Sequence, residues 1–108
     1  MTFTATQNFG DSVPGMSSGS FRDDAASPAA YTVKLGYAPR HVKVVNLTDR
    51  VTFEWFQGMS AGHAYKVDAA GAGTAETANH ITVDSEEGTI TFGSGIVGQN
   101  DQFYWMAE

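Results

Sequence analysis

Residues 31–37, "YTVKLGY", set a large apolar side chain at every second position: Tyr31, Val33, Leu35 and Tyr37 fall on one side of an extended chain, Thr32 and Lys34 on the other. A helix brings together positions three and four apart, whereas a strand alternates faces, so this beat predicts a sheet with one buried face. It returns through Val42 and Val44, through Val51, Phe53 and Trp55, through Ile81 and Val83, and through Ile90 and Phe92, before the closing "QFYWMAE". Between the runs stand "APR", "NLTD", "QGMSAG" and "SEEG". These are turn formers, and the Asn and Asp of "NLTD" can bond their own backbone. "HITVD" and "GTITFG" around "SEEG" read as a hairpin in which Ile81, Val83, Ile90 and Phe92 share the core. "HAYKV" reads as a further strand. "DAAGAGTAETAN" carries no large side chain between Val67 and Ile81 and reads as a surface loop or thin edge strand, with a short helix open to its alanines.

About seven or eight short strands separated by turns predict an all-β fold, a single-domain antiparallel β-sandwich or small barrel, with a jelly roll among its forms. The chain has 108 residues, enough for one domain with one modest core. Its 12 glycines fit many tight turns. Residues 7–30, "QNFGDSVPGMSSGSFRDDAASPAA", show neither period and are rich in Gly, Ser, Asp and Pro. The expected division is therefore an extended N-terminal arm or first strand over residues 1–30 and a β-sandwich domain over 31–108. Phe9, Val13, Met16 and Phe21 give the arm apolar anchors, and such a segment is expected to be mobile alone and to order on a neighbour.

Charge and composition remove several classes of function. A net charge of -6 with only 6 Lys and Arg offers no basic stripe for a phosphate backbone, so no nucleic-acid partner is expected. With no cysteine there is no disulfide, thiolate ligand or thiol nucleophile. No stretch approaches the ~20 apolar residues of a membrane span, and "MTFTATQNFGDS" lacks the basic and apolar regions of a secretory signal, so neither membrane nor signal-directed secretion is expected. For the same reason the sequon "NLT" at Asn46 is discounted as a glycosylation site. His41, His63 and His80 have no second ligand at metal spacing. Asp84, Glu86 and Glu87 lack the alternating oxygens of a calcium loop and read as a solvated turn, while Asp23 and Asp24 read as solvated charge. No "GxSxG" elbow is present, and "GSG" at 93–95 runs into Ile96 and Val97 without a phosphate-loop lysine. The expectation is a non-enzyme with no catalytic residues, cofactor or metal.

The informative anomaly lies in "NLTDRVTFEWFQGM" and "FYWM". Alternation puts Phe53 and Trp55 inside but Phe56 outside, and Phe103 and Trp105 inside but Tyr104 and Met106 outside. A strand that is apolar at both parities needs cover on both faces. Charged residues are only 17%, which leaves a surface poor in the groups that keep monomers apart. Phe56, Tyr104 and Met106, with Phe21 from the arm, are the residues expected to meet another subunit.

"LGYAPRHVKVVNLTDRVTFEWFQGM", residues 35–59, resembles small virion proteins of tailed bacteriophages in its Leu-Gly-aromatic-x-Pro-Arg, Asn-x-Thr-Asp, Glu-Trp and Gly-Met pattern. "AAGAGTAETANHITV" and "FYWMAE" resemble the same family's Gly/Thr loop and aromatic last strand, while residues 7–30 have no counterpart. The resemblance implies a virion structural protein, made in the cytoplasm of a host bacterium. With the acidic charge and aromatic seams, the expected role is a capsid decoration or cement protein on the outer capsid surface, bound to the major capsid protein and forming a dimer or trimer. The alternative is a tail or fibre component whose β-sandwich binds a carbohydrate or receptor.

Overall fold

The structure is a computed structural model that describes residues 3–9, 17–24 and 30–108. The described residues form nine strands: β1 Phe3–Phe9, β2 Ser17–Asp23, β3 Tyr31–Lys34, β4 His41–Asn46, β5 Val51–Phe56, β6 His63–Val67, β7 Gly73–Asp84, β8 Thr89–Phe92 and β9 Phe103–Ala107. They make one sheet in the order β1-β2-β9-β4-β5-β6-β7-β8-β3, and each neighbouring pair is antiparallel. The sheet curls into a half-barrel. Strands near its two ends meet through rings: Phe21 of β2 lies 4.7 Å from Tyr31 of β3 and 5.5 Å from Phe92 of β8. No ladder joins β3 to β1 or β2 among the described residues, so side chains close the seam.

The alternating runs lie as their periodicity predicts. Val33, Leu35, Val42, Val44, Phe53, Trp55, Ile81, Ile90, Phe92, Phe103 and Trp105 are all buried on the concave side, with Tyr31, Tyr37, Val51 and Val83 packed against them. Each such side chain contributes roughly 1.5–3 kcal/mol by leaving water. Two buried groups are less well served: the indole N–H groups of Trp55 and Trp105 have no hydrogen-bond acceptor among the described residues.

Local chemistry accounts for both tight hairpins. Between β4 and β5 the Asn46 side chain accepts a bond from the Asp49 N–H at 3.0 Å, closing the turn that "NLTD" predicts, with Arg50 at a φ of 59°. Between β7 and β8 the Asp84 carboxylate accepts from the Glu86 and Glu87 N–H groups at 3.0 and 3.1 Å. The expected hairpin forms, and its register sets Ile81 opposite Phe92 and Val83 opposite Ile90. Gly88 ends that turn at a φ of +67°, where a Cβ would stand 2.8 Å from the Tyr37 nitrogen, so only glycine fits without displacing backbone.

Two segments differ from the sequence reading. Ser17–Asp23, inside the stretch read as an aperiodic arm, is strand β2, and it pairs with β9 from Ser17↔Ala107 to Phe21↔Phe103. Its period is hidden because Ser17 and Gly19, on the same parity as Phe21, are small; Gly19 lies opposite the large Trp105. The remaining parts of that stretch, 10–16 and 25–29, lie outside the described residues, and the expectations for Val13 and Met16 fall there. Second, the Gly/Ala/Thr run is a turn only over residues 68–72; from Gly73 it belongs to a twelve-residue strand, Gly73–Asp84, that lies between β6 and β8 and is not an edge. A ladder needs backbone groups rather than bulk, and the Tyr65 ring of β6 covers Gly73 where a Cβ would collide with it.

β7 also bulges. Ala64 faces Glu76 while the adjacent His63 faces Ile81, so Thr77–His80 leave the β6 ladder. Asn79 takes a φ of 61° there. The "GSG" turn holds the bulge, with the Gly93 N–H donating to the His80 carbonyl at 2.6 Å and the Gly95 N–H to the Asn79 carbonyl at 2.8 Å. A Cβ on Gly95 would lie 2.6 Å from the His80 ring, which explains a glycine that phosphate chemistry does not.

Candidate functional site

The convex side of β9, β4, β5 and β6 carries the features that set this chain apart from a bland β-domain. Cross-strand register lines up its outward side chains in rows, since directly paired residues point to the same face. One row runs Met106, Lys43, Glu54, Tyr65. The next runs Tyr104, Val45, Thr52, Val67. Beyond the first, His41 faces Phe56, and their rings stack at 4.8 Å with planes 17° apart. Phe56, Tyr65 and Tyr104 are each nearly half exposed, at 48%, 47% and 49%. Leu47, in the turn after β4, is exposed at 57%. Large apolar side chains are thus gathered on one face rather than scattered singly.

Polar groups within this face hold its side chains in place. The His41 ring is held between two carboxylates, Nε2 at 3.0 Å from Glu54 and Nδ1 at 3.2 Å from Glu108. The Arg40 and His41 N–H groups donate to the Glu108 carbonyl at 2.7 and 3.0 Å, so β9 runs alongside the start of β4. Phe56 is fixed through its backbone, whose N–H donates to the Met59 sulfur at 3.2 Å. Lys43, in the middle of the first row, makes no ion pair among the described residues.

Of the residues expected at a seam, Phe56 and Tyr104 are exposed on this face and Met106 is half-buried on it. Phe21 is a correction. Its side chain is fully buried in the chain's own core, stacked on Phe103 at 4.7 Å with the rings 8° from parallel, so it cannot reach a neighbour. The cause is the insertion of β2 beside β9. Tyr65 and Val45 belong to the face without having been singled out from the sequence; the parity of Tyr65 against buried Ala64 in "HAYKV" was the available signal.

Other polar clusters are structural. Buried Asn46 donates to Asp101 at 2.9 Å and to Asp49 at 3.3 Å, tying the β4–β5 turn to the approach of β9. Burial, and then the neighbouring Asp49 carboxylate, push the Asp101 carboxyl above its ordinary range. His80 is buried with Nδ1 donating to the Ala78 carbonyl at 2.6 Å and its ring against Phe53; Nε2 lies 3.9 Å from Glu76. His41, His63 and His80 do not converge, and among the described residues no three His, Asp or Glu side chains group as metal ligands. An open groove of about 480 Å³ beside the β7 bulge is lined by small side chains, including Thr77, Asn79, Thr82, Thr91 and Ser94. Comparison with known family patterns, with characterised proteins and with solved structures yields no match.

Proposed function

We propose that this chain is a structural protein of a tailed-bacteriophage virion, a decoration or cement protein that sits on the outer capsid surface and ties major capsid protein subunits together. The observation that carries this reading is the convex face, where Phe56, Tyr65 and Tyr104 stand half exposed in adjoining rows. Such a face suits burial against a neighbouring subunit, with affinity concentrated in a few aromatic anchors. The resemblance of residues 35–59 to small virion proteins supplies the setting, and the acidic charge suits a surface away from packaged DNA. The mechanism is mechanical: buried area added across subunit borders raises the force needed to part them.

The test is rebinding to capsids stripped of the protein. Tyr104→Ala is expected to weaken binding by roughly 1–3 kcal/mol while leaving the thermal melt of the free protein nearly unchanged. Full occupancy by the variant at limiting concentration would remove the convex face from the mechanism. The competing reading, a sugar-binding tail or fibre module, draws on the hydroxyl-lined groove beside the β7 bulge. Copy number in purified virions separates the two, since a capsid lattice carries hundreds of copies and a tail a handful or a dozen. A sugar-dependent fluorescence change in the wild type would favour the tail reading.

A further inference from the structure

We infer that the occupant of the convex face is a second copy of this chain, packed face to face about a two-fold axis with Lys43 of each copy paired to Glu54 of the other. This rests on the reading of that face as an interface and names its partner. The argument begins from Lys43, an ammonium without an ion pair among the described residues, set in a row between apolar Met106 and the Glu54–Tyr65 pair. The carboxylate beside it, that of its cross-strand partner Glu54, is already held by the His41 ring at 3.0 Å, so an uncharged apolar cover would bury one carboxylate shared between an imidazole and an ammonium, which is unfavourable. A cover that brings a second carboxylate to Lys43 removes that deficit.

The chain carries that carboxylate at the symmetry-related place. Lys43 and Glu54 are direct cross-strand partners in the central strands β4 and β5, with β9 outside one and β6 outside the other. Consider a two-fold axis between two such faces, parallel to the strands and midway between β4 and β5. The rotation exchanges the two halves of every row. It sets each Lys43 over the other copy's Glu54, each Met106 over Tyr65, and each His41 over Phe56. These contacts match charge with opposite charge, thioether with aromatic ring and imidazole with aromatic ring, and the remaining row sets Tyr104 over Val67 and Val45 over Thr52. Two sheets packed in this aligned manner lie about 10 Å apart, with facing strands close to parallel across the axis.

Size agrees with a modest, concentration-dependent dimer. Four strands at about 4.8 Å and five or six residues at about 3.3 Å give each face a footprint about 19 Å by about 18 Å. Two such faces together give roughly 700 Å², below the roughly 1,200 Å² at which stable interfaces begin, so the pairing is weak and leans on its aromatic anchors and its two charge pairs. The local charge is balanced at the Lys43–Glu54 centre, while the net charge of -6 per chain lies largely elsewhere and is screened beyond about 8 Å at physiological salt. On a capsid, such a pair would act as a two-headed staple, each copy offering its remaining surface to a different subunit, so that a convex-face change such as Tyr104→Ala weakens capsid binding by splitting the pair and losing its avidity.

Sedimentation equilibrium of the free full-length protein, up to about 300 µM so as to span weak interfaces, tests this. The wild type is expected to dimerise. Lys43→Glu and Glu54→Lys, made singly, each set like charges across the axis and should raise the dissociation constant at least about tenfold. The double variant carrying both exchanges restores opposite charges and should recover most of the dimer. Because the chain has no cysteine, Met106→Cys mixed with Tyr65→Cys gives an independent readout: a short bis-maleimide, needed because facing residues on sheets about 10 Å apart lie beyond disulfide reach, should link unlike chains far faster than either variant alone. A monomeric wild type, single variants that dimerise like it, or a folded double variant that stays monomeric would each overturn the inference. A capsid-binding protein that is monomeric in solution defeats only this pairing, and a dimer that ignores capsids defeats only the proposed function.

Discussion

Trp105 is 3% exposed, packs 6.1 Å from the Phe92 ring, and buries an indole N–H that has no acceptor among the described residues. Two substitutions at this one site separate what its bulk contributes from what its polar atom costs. Trp105→Ala removes the whole ring between Gly19 of β2 and Val44 of β4 and should destabilise by about 3–5 kcal/mol, the usual cost of an aromatic cavity. Trp105→Phe keeps most of the ring. It loses roughly two buried CH₂ equivalents, about 1.6 kcal/mol at about 0.8 each. It also removes a buried unpaired donor, whose burial costs about 1–3 kcal/mol. The opposing terms nearly cancel, so the phenylalanine variant should lie within about 1 kcal/mol of wild type, which is a midpoint shift of about 4 °C or less for a domain of this size. Urea unfolding followed by far-UV circular dichroism measures both. A Trp105→Phe loss above about 3 kcal/mol, with an unchanged denaturant slope, would mean that the N–H is satisfied in the folded protein and the cancellation is wrong.

The Asp101 carboxyl is held above its ordinary range by burial and then by Asp49. A group with a raised folded pKa contributes stability that is fully present below its unfolded value, near 3.9, and is lost as the pH rises through the folded value. Asp101→Asn should therefore raise the melting midpoint at pH 7 and show a smaller advantage near pH 4; after solvent screening the gain should stay below about 1 kcal/mol, and a variant that melts lower at pH 7 would refute it. Phe21→Ala should cost about 3–5 kcal/mol in the free protein, because Phe21 stacks on Phe103 in the core. A normal melt with impaired assembly would instead return Phe21 to a seam.

The parity of side chains was legible along the chain because a strand has a period of two, so each of Val42, Phe53 and Ile90 announces its buried side from its immediate neighbours. The turns at Asn46 and Asp84 were legible for a similar reason: their side chains bond to backbone only two or three residues away. Strand adjacency is another matter, because hydrogen-bonded neighbours need no proximity in sequence. β9 enters between β2 and β4, which puts Tyr104 beside Val45 and turns Phe21 from an anchor on an arm into core. The first half of β7, residues 73–79, was legible only as a loop or thin edge strand because its ladder is made by backbone while bulk beside it comes from Tyr65 on another strand. The convex face likewise exists only after folding: Phe56, Tyr65 and Tyr104 each show an outward parity, but it is the register of four strands that gathers them around Lys43 and Glu54. Local periodicity sets which way a side chain points, and long-range pairing sets what it stands next to.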